Sequence, residues 1–219
     1  MLQKIALVGL VGICLAPGVP VQAATATKLP KNFLLYERTA REDMARDDPD
    51  DVHDYEETWL YDDRADQPLL ANPCYTVAVA TGLSTKVGLT GRKAVRSVTF
   101  SSQEYYGTQE QVIVYRSTEI AKKVMGDWKA AAARCARKGS KAQPMGVFHR
   151  KLYPSSLGDQ AWAVTGYNTD DDEQWDAYVI VRRANAIIYY GGPRQKKPFA
   201  KYRRDAKKML AKICRVASC

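Results

Sequence analysis

Histidine is almost missing from this sequence: His53 and His149 are the two among 219 residues. No H-E-x-x-H and no C-x-x-C occurs, which removes the common sequence signatures of a zinc site. No G-x-S-x-G marks a nucleophile elbow, and the glycine-rich loop, catalytic loop and metal-binding motifs of a kinase are absent. A Ser-His-Asp site assembled in space would fall to His149, on a predicted strand; the ordinary reading of such a residue is a packed or surface histidine. The carboxylates Asp170, Asp171, Asp172 and Glu173 lack the shaping glycine and the downstream bidentate glutamate of a calcium loop, so they read as a solvated turn. The expectation is a chain that is not an enzyme, with no metal and no cofactor. Nucleic-acid signatures are missing too, with neither zinc-finger spacing nor an RNA-binding aromatic motif, so no specific nucleic-acid partner is expected.

A hydrophobic run long enough for a membrane anchor, about 20 residues, is also lacking. The run Ile5 to Ala16 follows Lys4 and is broken by Pro17, Gly18 and Pro20, with Val21-Gln22-Ala23 at the cleavage positions. That is the layout of a secretory signal peptide over residues 1–23. A lipoprotein signal fits badly, because bulky Ile13 precedes Cys14. Cleavage would remove Cys14 and leave 219 − 23 = 196 residues with four cysteines, Cys74, Cys135, Cys214 and Cys219. An even number in an exported protein points to a disulfide framework and a secreted, envelope-associated location. Cys214 and Cys219 stand close enough in sequence for a short bridged loop.

The remaining length suits one domain with a real core. Charge is unevenly spread over the formal total of +9. Glu37 to Asp66 carries 13 acidic and 4 basic residues, a balance of −9; Arg194 to Arg215 carries 10 basic residues and one acid, Asp205. Two solvated faces are the plain reading. A basic exported surface also attracts anionic envelope polymers or a lipid surface, without selecting between them.

Hydrophobic period places the elements. Phe33 to Ala45 predicts a short helix. Trp59, Leu60 and Tyr61 form an apolar island that must dock. Asn72-Pro73 is a helix start. Lys93 to Ser101 and Gln109 to Arg116 alternate as strands. Ser117 caps a helix whose stripe is Ala121, Val124, Met125, Trp128, Ala132 and Cys135, stopped by Gly139. Strands follow at Val147 to Tyr153, Gln160 to Asn168, Trp175 to Arg183 and Ala186 to Gly191. Ala184-Asn185 is a hairpin turn in which Asn tolerates the left-handed conformation. Phe199 to Arg215 closes the chain as a helix with Phe199, Tyr202, Ala206, Met209, Leu210 and Ile213 inward. That order argues an α+β fold. Its basic outer face fits docking on the core better than insertion into a membrane.

The strand Gln111-Val112-Ile113-Val114-Tyr115, Ser117, Ala121, Trp128 and Cys135, then Gly158-Asp159-Gln160-Ala161 and the run from Val179 to Ile188, together resemble a known domain. It is the extracellular sensor domain of PknH-type actinobacterial serine/threonine kinases, which stand-alone exported proteins also carry. The resemblance covers residues 71–219 and leaves 24–70 as an acidic N-terminal segment. Where the family's hairpin has glycine before the asparagine, this chain has Ala184. The resemblance implies a twisted antiparallel sheet flanked by helices and two disulfides, Cys74–Cys135 and Cys214–Cys219. It also implies a cleft for an unidentified small or oligomeric ligand. With the kinase portion missing, the expected function is a noncatalytic ligand-binding, sensor-like domain of the cell envelope. A secreted hydrolase or a basic adhesion protein is the alternative. For the cleft, Trp162, Trp175, Tyr178 and Arg182 are the candidate ligand-binding residues, with Tyr178 and Arg182 on one sheet face by alternation.

Overall fold

The computed structural model describes residues 27–44, 58–62, 69–73, 88–100, 108–138, 140–141, 147–168, 174–193 and 198–219. Among these, eight strands make one sheet in the order β1-β2-β3-β8-β7-β6-β5-β4, with every neighbour antiparallel. In chain order they are β1 (Thr58–Asp62), β2 (Arg92–Phe100), β3 (Gln109–Tyr115), β4 (Ser140–Lys141), β5 (Val147–Ser155), β6 (Gln160–Asn168), β7 (Gln174–Arg183) and β8 (Ala186–Pro193). Three helices accompany them: α1 (Glu37–Met44), α2 (Thr118–Lys138) and α3 (Pro198–Ile213). None of these helices is long and apolar enough to cross a membrane. The signal-peptide residues, Cys74 and the helix expected beyond Pro73 lie outside the described residues.

Alternation along the strands sorts the core into two halves. One face carries Val95, Ile113, Val164, Tyr178, Ile180 and Ile187 beneath α2, whose stripe from Ala121 to Cys135 is buried as its spacing predicts. Trp128 is fully buried there, and its Nε1–H donates to the Ala71 carbonyl at 2.8 Å. The Ser117 hydroxyl accepts the Ile120 N–H and so caps α2. On the other face Val98, Val112, Val179 and Ile188 meet Tyr202, Ala206, Met209 and Ile213 of α3. The α3 helix therefore docks on the sheet through its apolar stripe and turns its Lys/Arg face outward. The Cys214–Cys219 disulfide is present. It is the one bridge seen between described residues; Cys135 is buried on α2.

Two expectations need correction, and a third is made specific. The first helix begins at Glu37 instead of Phe33. The Leu35 and Tyr36 N–H groups donate to the two oxygens of Glu110 at 2.9 and 2.7 Å, so these residues are bent onto β3 rather than coiled. The apolar island at Trp59 is strand β1, paired to β2 at the sheet edge. At the β7–β8 turn Ala184, not Asn185, adopts the left-handed conformation, with φ of 49°. Asp159 holds the Ala184 N–H at 2.7 Å. Buried Asn185 uses its side chain to donate to the Tyr115 carbonyl and to accept the Ser218 N–H. The turn geometry is thus fixed by what each side chain holds, not by residue preference alone.

Residues 29–40, within the acidic N-terminal stretch, are part of the same core as α3: Leu29, Phe33, Leu34 and Ala40 are buried in it. Buried polar pairs hold this strap. Glu37 takes Arg96 at 3.1 and 3.2 Å and Arg41 at 2.9 Å; the Arg96 and Glu37 side chains are fully buried. Glu110 also accepts the Tyr190 hydroxyl, and the Tyr36 hydroxyl donates to Asp205 at 2.7 Å.

Burial pushes the Glu110 carboxyl up to about 7, against the opposing pull of Tyr190 and the two backbone donors. Lys212 also favours the charged form, while Tyr36, Tyr190 and Asp205 complete the ionisable surroundings. A carboxyl raised in the folded state stabilises the fold most below its unfolded value near 4.5, and that contribution is lost as pH rises to 7. The stability of Glu110→Gln relative to the parent should therefore grow between pH 4.5 and 7, by at most about 3 kcal/mol. Urea midpoints across that range check it; a pH-independent difference would show that Glu110 stays ionised throughout.

Candidate functional site

Three of the four residues named from sequence, Trp162, Tyr178 and Arg182, lie on the α2 face of the sheet, with Trp162 opposite Ile180 between the other two. Trp162 lies half-buried on the α2 face of β6, with the Lys129 ammonium 4.5 Å from its ring centre. Trp175 belongs to β7, and its side chain lies outside the described residues. Tyr178 is 1% exposed, donates its hydroxyl to the Asn72 carbonyl at 2.7 Å and meets the Trp128 ring edge-on. Arg182 shares that face, as alternation requires, yet fully buried Ile180 stands between the two. Its guanidinium is held by Asp159 at 3.1 Å and by the Ala184 carbonyl at 2.9 Å, beside the hairpin turn. Arg182 thus stabilises the turn, and Tyr178 stands on the wall of a different centre.

That centre is built across three strands by register. Arg150 on β5, Gly166 on β6 and Asp176 on β7 are directly opposite one another. The Arg150 guanidinium reaches across Gly166 and pairs with the Asp176 carboxylate. A Cβ at Gly166 would run into both groups, so glycine is what permits the ion pair to lie flat over the strand. The guanidinium sits 5.4 Å above the Tyr178 ring, a cation–π contact. Tyr178 leans on Tyr189, with ring centres 5.4 Å apart, and the Tyr189 hydroxyl donates to Gln109 at 3.0 Å. Gly191 repeats the device on β8: a Cβ there would meet the Tyr189 hydroxyl and the Tyr178 side chain.

Burial works against the charge of Arg150, but Asp176 and the tyrosines outweigh it and hold the guanidinium above its ordinary range. Burial drives both Tyr178 and Tyr189 well above the usual phenol range. At neutral pH the centre therefore holds a permanent cation and two neutral phenols, none poised to exchange a proton. Arg150 is 3% exposed on its side chain, whereas Asp176 is 36% exposed, so the pair is reached from solvent through its carboxylate. The Arg150 Nε–H is buried without a hydrogen-bond partner. An orphaned buried donor on a charged group costs about 1–3 kcal/mol or more, which a ligand acceptor would recover.

His149 stacks on Tyr167 at 5.4 Å, with Nδ1 3.4 Å from the Ala136 carbonyl. Those contacts give it packing partners on both elements. His53 and the Asp170 to Glu173 cluster lie outside the described residues, among which no group of three or more His, Cys, Asp or Glu side chains is placed to hold a metal. Arg150, Gly166, Asp176 and Gly191 were not singled out from sequence. The available signal was a glycine in the middle of an otherwise regular strand pattern, which marks a close approach by another group.

No protein-family model matches the chain, and no curated protein matches it. Among solved structures it is similar to the extracellular domain of PknH from Mycobacterium tuberculosis, with a TM-score of 0.49 and 11% sequence identity. The match covers 85% of this chain and 97% of that one.

Proposed function

We propose that this chain is an exported, noncatalytic ligand-binding domain of the cell envelope, sensor-like in its role, in which Arg150 anchors an anionic group of the ligand. The observation that carries this reading is the unpartnered Nε–H of a buried arginine stacked on Tyr178. A guanidinium offers a planar fork of donors suited to a carboxylate or phosphate, and here one part of the fork is taken by Asp176 while Nε is left over. Tyr178 and Tyr189 back the guanidinium with an aromatic wall, the apolar partner that recognition sites combine with a few polar groups. The signal-peptide pattern and the cysteine count support export.

The test is mass spectrometry of small molecules retained by the protein purified from its native secretion medium. The parent should carry an anionic molecule. Arg150→Lys keeps a cation for Asp176 but lacks the Nε–H donor, and it should lose that molecule while melting cooperatively. A parent protein that carries nothing, and shows no thermal shift with a panel of small carboxylates and phosphates, would overturn the reading.

A further inference from the structure

Beyond this buried centre, the opposite side of the sheet carries a second recognition surface. Helix α3 covers β7 and β8 and leaves the adjoining part of β5 open. On that open part Tyr153 is 42% exposed, the one large hydrophobic side chain so exposed among the described residues. Its ring meets Phe199, in the first turn of α3, edge-on at 5.8 Å. Arg203 lies 5.8 Å over the Phe199 ring from one helical turn further on. Lys207 continues the same line at the next turn, so Phe199, Arg203 and Lys207 form a row of about 12 Å. At the other end Lys151, two residues before Tyr153 on β5, is exposed and rests over Tyr167.

The charge of this row is of one sign. β5 contains no acidic residue, and α3 contains one, Asp205. Asp205 is buried and accepts the Tyr36 hydroxyl, so it does not interrupt the exposed cations. We infer that the Lys151–Tyr153–Phe199–Arg203–Lys207 strip binds a linear acidic polysaccharide, with a sugar ring seated on Tyr153 and its carboxylates taken by the cations on either side.

The observations favour this partner over two other polyanions. A lipid surface needs apolar side chains to insert, and Tyr202, Ala206, Met209 and Ile213 of α3 are fully buried in the core. Single-stranded nucleic acid needs several open aromatic faces in succession. Here Tyr153 stands alone, since the rings of Tyr167 and Phe199 each carry a cation. A sugar needs one such platform, and a repeating uronate supplies the negative charge that matches the row.

The full chain, with a parallel melting curve for each variant, is titrated with polygalacturonate, neutral dextran, single-stranded oligonucleotide and phosphatidylglycerol vesicles. The expected result is polygalacturonate binding that weakens toward about 0.15 M salt, with dextran inert. Arg203→Gln with Lys207→Gln should lower that affinity about tenfold. Tyr153→Ala should lower it about fivefold while leaving the salt dependence unchanged, an effect that charge adsorption alone would not produce. Lys151→Gln, on the other element, gives an independent check at an exposed position. The inference is overturned by the absence of polygalacturonate binding, by tighter binding to oligonucleotide or vesicles, or by indifference to Tyr153→Ala. Loss of the Arg150-dependent ligand would leave it standing, because the two sites lie on opposite faces.

Discussion

Glu37→Ala should cost about 3–5 kcal/mol of folding stability. The carboxylate is fully buried and engages Arg96 through both oxygens, with Arg41 on its outer side. Truncation takes from the fully buried Arg96 guanidinium a carboxylate that it meets through both oxygens, in a region walled by the strap and the sheet. Burial alone would raise the Glu37 carboxyl. The Asn32 backbone and the Arg41 and Arg96 side chains more than offset this and hold it below the usual range. Its contribution is therefore present above the ordinary carboxylate range and lost on acidification, opposite in sign to that of Glu110. Urea unfolding gives the measurement. A double variant, Glu37→Leu with Arg96→Met, should recover much of the loss because the two buried charges are removed together. A single variant within 1 kcal/mol of the parent, roughly the worth of an exposed pair, would mean that water reaches Arg96.

The second large effect belongs to a covalent link. Nonreducing peptide mapping should yield a Cys74–Cys135 peptide beside the Cys214–Cys219 one, as the family resemblance implies. A bridge closing a loop of about 60 residues restricts the unfolded chain by about 4 kcal/mol in the entropy model. Cys74→Ser with Cys135→Ser should lose about that much, while the bridge between Cys214 and Cys219, closing a loop of sequence separation 5, should matter less. Recovery of a Cys135–Cys214 peptide would contradict both the proposed pairing and the observed C-terminal bridge.

What was legible in the sequence was whatever repeats along one element. The α2 stripe, the α3 stripe and the strands from Val147 onward follow from period alone, and the structure places their boundaries within a few residues. Interactions between elements were not legible. Arg150 and Asp176 are 26 residues apart and meet only because β5, β6 and β7 share a register in which Gly166 falls between them. Glu110 reads as one more polar residue on an alternating strand until the strap, 75 residues earlier, offers it two N–H groups. Tyr178 and Arg182 were assigned to one face correctly, but periodicity does not say that α2 covers that face. The sequence marks Phe33, Leu34 and Ala40 of the strap as apolar but not where they dock, because the partners that hold it, Arg96, Glu110 and Asp205, lie far along the chain.

The position of β8 has a consequence for how the chain acquires its structure. Of the described strands it is the last to leave the ribosome and one of the innermost in the sheet, joining the β1-β2-β3 group to the β7-β6-β5-β4 group. Until residues 186–193 are made, β3 has an unpaired edge and the two groups have no backbone link through the sheet. Pairing Gln109 with Gly191 closes a long loop, an entropic cost that delays folding. A chain whose sheet cannot close before β8 is made stays threadable for longer.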